Sequence, residues 1–349
     1  CRCRRRRRCR RRFRRCRTTP LGILMPPLSP LPLLRRFIPS FGGEYTLLAG
    51  GSARSYASAV AAAPALSPLT TSTAVFAAAN TLGFAISLAT NSHHHLDLLG
   101  TGAFAVSALA TRGVEARQQL SAVAVAIWGA KLAGFLFYRV CSTGRRDARL
   151  EKTLSSPSGA FGFWSISFLW GALVSLPHTI AAAVPVAARP ALLGGGAVVT
   201  AASLALVTAG LVLETLADAQ KFAFKSDAAN SGKFCDVGVW QLSQHPNYLG
   251  NLLVWTGVFA LNAPTLLAPY GGALRRFGRL AAGALSPLFM IALFYGQATG
   301  KVGDSVALAD KKYGDDPKYQ SYVAETPLIV PSPTHLLRTI RENRRPKTG

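Results

Sequence analysis

The chain has 349 residues, half of them hydrophobic and 15% charged, with a formal net charge of +24. That composition is too apolar for an ordinary soluble domain, and the length exceeds what one small core needs. The charge is uneven: 14 of the 39 basic residues and none of the 15 acids lie in residues 1–43, so it does not mark the rest of the chain as nucleic-acid-binding.

Residues 1–70 come first. They open with CRCRRRRRCRRRFRRCRTTP, are rich in Arg, Ser, Ala and Pro, and hold Glu44 as their one acid. Phe13 is the only aromatic residue among the opening arginines, and no nucleic-acid-binding module is recognisable. The composition is that of a transit peptide or disordered leader. Its Ser and Ala content favours a plastid, with the mitochondrion and endoplasmic reticulum as alternatives. The chain begins with Cys1 rather than Met, which leaves two readings: a missing true N-terminus, or an opening that is translated untranslated sequence.

Apolar runs follow near 73–92, 98–111, 119–140, 160–187, 191–213, 248–268 and 282–298. A bilayer-crossing helix needs about 20 apolar residues. The run at 98–111 is short and reads as a broken or re-entrant segment. The expected fold is all-α: a polytopic transmembrane helical bundle of six or seven spans over residues 71–335, preceded by the disordered leader and followed by a basic polar tail, 336–349. The expected partners are the lipid bilayer and a hydrophobic small molecule.

The polar connections give a topology. Residues 139–158, 214–247 and the chain from Lys301 onward are separated by even numbers of spans, so they share a face. Their Lys and Arg content makes that face cytoplasmic or stromal. Arg275, Arg276 and Arg279 break the pattern, because they fall on the opposite face.

Several weak motifs are set aside. Adjacent His93, His94 and His95 cannot all aim at one ion from a regular element, so a polar loop is the better reading and no metal site is expected. GQATGKV (296–302) lacks a residue and the Ser or Thr of a phosphate loop. No glycine fingerprint of a soluble dinucleotide fold appears. Cys141 and Cys235, the cysteines beyond the leader, have no metal-ligand spacing.

The densest polar stretch is ETLADAQKFAFKSDAANSGKFCDVGVWQLSQHPNY, residues 214–248. Glu214, Asp218, Lys221 and Lys225 step by 4, 3 and 4 residues, which places them on one helix face. Such a face can hold a polar cofactor, or it can be a solvated, salt-bridged helix end. Pro246 disfavours a helical His245. The next span therefore starts near Asn247 and presents a helix N-terminus that suits a phosphate.

LADAQKFAFK followed by GVWQLSQHPNYLGNLLVWTGV resembles the C-terminal signature of the steroid 5α-reductase-like membrane proteins. Bacterial and plastid members of that group read D-x-Q-K-x-x-F-K and then G-L-W-x-x-S-R-H-P-N-Y-x-G-E. The tail ADKKYGDDPKYQSYVAETPLIVP (309–331) resembles the family's closing segment. HLDLLGTGAF (95–104), WGAKLAGFLFYRV (128–140) and DARL (147–150) resemble its earlier blocks. The resemblance covers residues 90–331.

The resemblance implies a reductase that holds NADPH in its water-facing loops and the inner ends of its last spans, while a lipid substrate enters from the bilayer. Carried over by motif, Asp218, Lys221 and Lys225 belong to the cofactor-contacting helix. Glu214 stands one turn before them, and His245, Asn247 and Tyr248 match H-P-N-Y. Tyr138 is a candidate proton donor. The isoprenylcysteine methyltransferases of the same larger group, which use S-adenosylmethionine, are the runner-up. A non-catalytic membrane protein is the third reading. Three departures bear on it: Gln244 replaces an Arg, Asn251 replaces a Glu, and no glutamate precedes ADKKYG, the nearest acid being Asp304.

Overall fold

The computed structural model describes residues 66–144, 150–192 and 196–344. The expected leader falls almost wholly outside them, as do Arg145, Arg146, Arg149 and most of the DARL block. The first helix, α1 (Pro68–Thr90), begins slightly before the expected boundary. Ser67 caps it by accepting from the Thr70 amide at 3.1 Å, and Pro68 occupies the first turn, where its missing N–H costs nothing.

Asn91, in the left-handed region at φ 50°, ends α1. The chain then folds back. His95 reaches the Gly83 carbonyl at 2.8 Å and stacks on Trp164 at 5.7 Å, which accounts for the histidine run as a polar turn. Two short helices follow, α2 (Leu96–Gly100) and α3 (Gly102–Ala110). They return antiparallel to α1, with Ser107 donating to Ser72 at 2.7 Å. At 1.5 Å per residue they cover about 22 Å, less than a bilayer core of about 30 Å.

The long helices are α4 (Ala116–Thr143), the pair α6 (Pro157–Val174) and α7 (Leu176–Ala183), α8 (Ala197–Ser226), α9 (Pro246–Leu266) and α10 (Gly272–Ala298). A short α5 (Glu151–Leu154) precedes α6. Among the described residues, five helices are long and apolar enough to cross a membrane, or six if the α6–α7 pair, bent by 52°, is one span. The bend falls at Ser175, just before Pro177, whose ring cannot continue the ladder. Of the expected six or seven spans, five are found, or six with the bent pair, and the short run at 98–111 does not qualify.

The core is aromatic. Phe104 meets Phe76 at 5.0 Å and Trp128 at 5.1 Å, and Trp128 meets Trp255 at 4.9 Å. Large apolar side chains such as Ile166, Val198 and Leu274 also face outward, as lipid contact requires. The closest pairing is α8 against α9. A Cβ placed on Gly210 would lie 2.5 Å from the Gly250 carbonyl oxygen, and one on Gly250 would lie 2.7 Å from the Glu214 amide. Glycine is thus required for these backbones to touch, and van der Waals packing replaces the hydrophobic effect as the driving force inside a bilayer.

Three more helices complete the chain: α11 (Ser305–Tyr313), α12 (Pro317–Glu325) and α13 (Pro333–Arg344). The expected domain boundary at residue 335 falls inside α13. Side-chain contacts bring two of the three polar connections, the one between α8 and α9 and the tail, together. At one end Lys225 meets Tyr313, and Gln244 meets Val323 and Thr326. At the other, Arg117 of α4 donates to the Leu261 and Ala191 carbonyls. Of the three arginines that broke the pattern, Arg279 has a local cause. Arg279 caps the end of α9, donating to the Leu266, Ala268 and Tyr270 carbonyls.

Candidate functional site

The tight α8–α9 contact carries a buried polar cluster at its water-facing end. Glu214 is almost fully buried, and α4 supplies its counter-charge: Lys131 Nζ lies 2.9 Å from Glu214 Oε2. Asn251 of α9 donates to Glu214 Oε1 at 3.0 Å and to the Asn247 carbonyl at 3.0 Å. Its own Oδ1 accepts from Trp128 Nε1 at 2.9 Å. One network therefore joins α4, α8 and α9.

Below this cluster the acid–base face of α8 continues toward water. Asp218 is half-buried, with Lys131, Arg139 and Lys221 as the cations around it. Lys221 Nζ lies 4.2 Å over the Trp240 ring. Trp240 is fixed in turn by donating to the Ala217 carbonyl at 2.9 Å. At the last turn Lys225 donates to the Lys233 carbonyl and, at 2.8 Å, to the Tyr313 hydroxyl. Burial raises the Tyr313 phenol, but the bonds and charges of Lys225 and Lys312 outweigh that and leave it below its ordinary range.

The start of α9 faces the same region. His245 precedes the helix with non-helical backbone, at φ −135° and ψ 62°, and Pro246 takes the first position. The His245 ring stacks on Tyr248 at 4.7 Å, and Tyr248 stacks on Phe294 of α10 at 4.6 Å. Burial, reinforced by the Lys221 charge, lowers the His245 pKa to about 4, so the ring is neutral at physiological pH. Asn247 Oδ1 is buried and has no hydrogen-bond partner.

The structure thus brings Glu214, Asp218 and Lys221 into one descending row, with His245, Asn247 and Tyr248 beside it. Lys225 lies at the outer end of the row, held by the tail. Tyr138 is not among the buried groups. It is 58% exposed, and its ring tilts against Phe222 at 5.8 Å.

Lys131 is a participant that the sequence reading missed. A signal was present, because Lys131 is the only charge between Arg117 and Arg139, and a lone ionisable residue in an apolar run calls for a partner. The departures now have structural settings. Gln244 donates to the Val323 and Thr326 carbonyls, at 2.9 and 2.7 Å, and so latches the tail to the loop before α9. Asn251 is the hub of the buried network. Asp304 precedes α11 without a side-chain cap bond.

Two other features lie at the opposite end. His178 bonds to Ser121 at 2.9 Å and Thr111 at 3.1 Å, and Asn262 donates to Ser121 at 2.8 Å, tying α4, α7 and α9 together. An apolar groove of about 300 Å³ runs between α1 and the α6–α7 pair, lined by Leu69, Leu169 and Leu173. Among the described residues no cluster of His, Cys, Asp or Glu could hold a metal ion.

No curated protein and no solved structure matches the chain. A family model described as "Protein of unknown function (DUF1295)" matches residues 83–326, from the middle of α1 through the end of α12. The chain belongs to this family of membrane proteins related to the steroid 5α-reductases.

Proposed function

We propose that the protein is an NADPH-dependent membrane reductase of a carbon–carbon double bond in a hydrophobic substrate. The observation that carries this reading is the buried, unpartnered Asn247 Oδ1 at the mouth of the α8–α9 cluster. A buried amide oxygen without a donor costs about 1–3 kcal/mol, and a ligand N–H or O–H would remove that cost. The carboxamide of a nicotinamide or the hydroxyls of a ribose are such donors.

The charge balance of the same region fits a phosphorylated ligand. Lys131, Arg139, Lys221 and Lys225 outnumber Glu214 and Asp218 by two. Lys221 and Lys225 are exposed at the water-facing end, and Lys221 acts on His245 at the start of α9, where the helix dipole also favours an anion. In this reading Lys225 and Lys221 hold the phosphates, Asn247 orients the amide or ribose, and Tyr248 offers a ring face backed by Phe294. The dinucleotide supplies the hydride for the electron-poor carbon of the alkene. Glu214, locked by Lys131 and Asn251, keeps this end of the bundle rigid while the substrate approaches from the lipid side. The assignment of Tyr138 as proton donor has no support from its exposed setting.

The test is binding by the purified, detergent-solubilised protein, with NADPH, NADH and S-adenosylmethionine titrated in parallel. Tighter binding of NADPH than of NADH supports the reductase. S-adenosylmethionine binding without NADPH binding replaces it with the methyltransferase reading. Binding of none of the three leaves a non-catalytic membrane protein.

A further inference from the structure

The chain after the last span ends in a helix with three distinct sides. On α13, His335 and Thr339 face the protein: His335 Nε2 bonds to the Gln241 carbonyl at 2.9 Å, and Thr339 is buried. Leu336, Leu337 and Ile340 are exposed, although they lie together at i, i+1 and i+4. Arg341, also exposed, borders the apolar side, whereas Arg338 lies on the far side, with its Nη2 3.3 Å from His335 Nδ1. Arg344, Arg345 and Lys347 follow in sequence, with Glu342 as the one acid after residue 333.

The level of this helix relative to the bilayer follows from its anchor. Gln241 precedes Pro246, the first residue of the α9 span, by little more than one helical turn. The bond from His335 therefore ties the start of α13 to the short segment that leads into α9. An exposed apolar stripe bordered by Arg341 and tied beside the start of a span has the form of an interfacial helix. The arginines complement anionic headgroups, whereas a second protein surface would need acidic groups to meet them.

We infer that α13 lies on the membrane surface, with Leu336, Leu337 and Ile340 in the headgroup–acyl boundary and Arg341 on anionic lipid phosphates. This surface is separate from the cofactor region and does not depend on the reductase reading. Because the same segment continues from the latch formed by Gln244, lipid charge would set how firmly the tail is held over the α8–α9 loop.

The full-length protein, with its six cysteines replaced and Leu337→Cys labelled with an environment-sensitive fluorophore, tests this in nanodiscs holding one copy each. Discs of phosphatidylcholine alone are compared with discs containing phosphatidylglycerol. The expected result is probe quenching by doxyl-labelled lipid, stronger with phosphatidylglycerol and weakened by high salt. An arginine near an anionic surface contributes about a fivefold bias, so Arg341→Gln should shift the docked population about fivefold. A probe quenched equally by aqueous iodide in both disc types, and untouched by doxyl lipid, overturns the proposal. So does lipid quenching that is the same with and without phosphatidylglycerol and unchanged in Arg341→Gln.

Discussion

Asn251 on α9 donates a 3.0 Å hydrogen bond to the Glu214 carboxylate on α8. The motif that the chain resembles carries Glu at position 251. Here the amide stands at that position and the carboxylate lies one hydrogen bond away, on the neighbouring helix. The acid has not been lost from the region. It reaches it from α8, through the contact that Gly210 and Gly250 make possible.

This relationship predicts a non-additive pair of substitutions. Glu214→Gln leaves Lys131 without its buried partner and should destabilise the protein by about 3–5 kcal/mol. Asn251→Glu alone sets two carboxylates against one another and should also destabilise. Together, Glu214→Gln and Asn251→Glu restore one acid, which Trp128 Nε1 can still bond and Lys131 can still pair with. The double variant should recover about 1–3 kcal/mol relative to the sum of the singles. Thermal unfolding in detergent measures this without any cofactor. Additive losses would show that the two positions do not share a carboxylate.

The residues that were legible in sequence share one property: their signal is periodic or local. Glu214, Asp218, Lys221 and Lys225 fell on one face because α8 is an uninterrupted helix to Ser226. Pro246 marked the start of α9 because proline restricts its neighbour. Contacts between distant segments left no periodic trace. The pairing of Lys131 with Glu214, 83 positions apart, and the latch from Gln244 to Thr326 are set by how the helices cross. The short α2–α3 return was visible only as a run of inadequate length.

The shared face of the polar connections predicts equal labelling. Ser231 lies in the α8–α9 connection and Ser321 on α12, both exposed at the end where Gln244 holds the tail. Single cysteines at either position should react with an impermeant maleimide from the same side of sealed vesicles. A cysteine at Gly271, in the α9–α10 turn, should react only from the other side. Labelling of Ser231→Cys and Ser321→Cys from opposite sides would refute the arrangement.

His245 gives a pH dependence with a defined sign. Its folded pKa of about 4 lies below the ordinary histidine value of about 6.5. Between those values the unfolded chain binds a proton that the folded chain does not, so stability falls as pH drops from about 6.5 to about 4 and levels off below. His245→Gln should flatten that part of the profile. Lys221→Ala should raise the His245 pKa, because one of its two causes is removed, and histidine NMR titration reads this directly. An unshifted resonance in Lys221→Ala would remove the charge as a cause.

Lys225 carries the sharpest test of the cofactor reading, because it has two separable roles. Its ammonium is bound to the Lys233 carbonyl and the Tyr313 hydroxyl, neither of which neutralises its charge. If it also meets a phosphate, Lys225→Ala removes a charge-assisted contact of about 1.5–3 kcal/mol, a loss of roughly 10- to 150-fold in NADPH affinity. Lys225→Arg keeps the charge and should lose much less. Asn247→Ala should also weaken binding, by the smaller amount of a neutral hydrogen bond. Arg275→Ala, exposed at the opposite end, should leave affinity unchanged. A structural role alone would loosen the tail, so limited proteolysis within α11 and α12 is measured alongside. Faster cleavage of Lys225→Ala with unchanged NADPH affinity would assign the residue to the tail contact and take it out of the cofactor site.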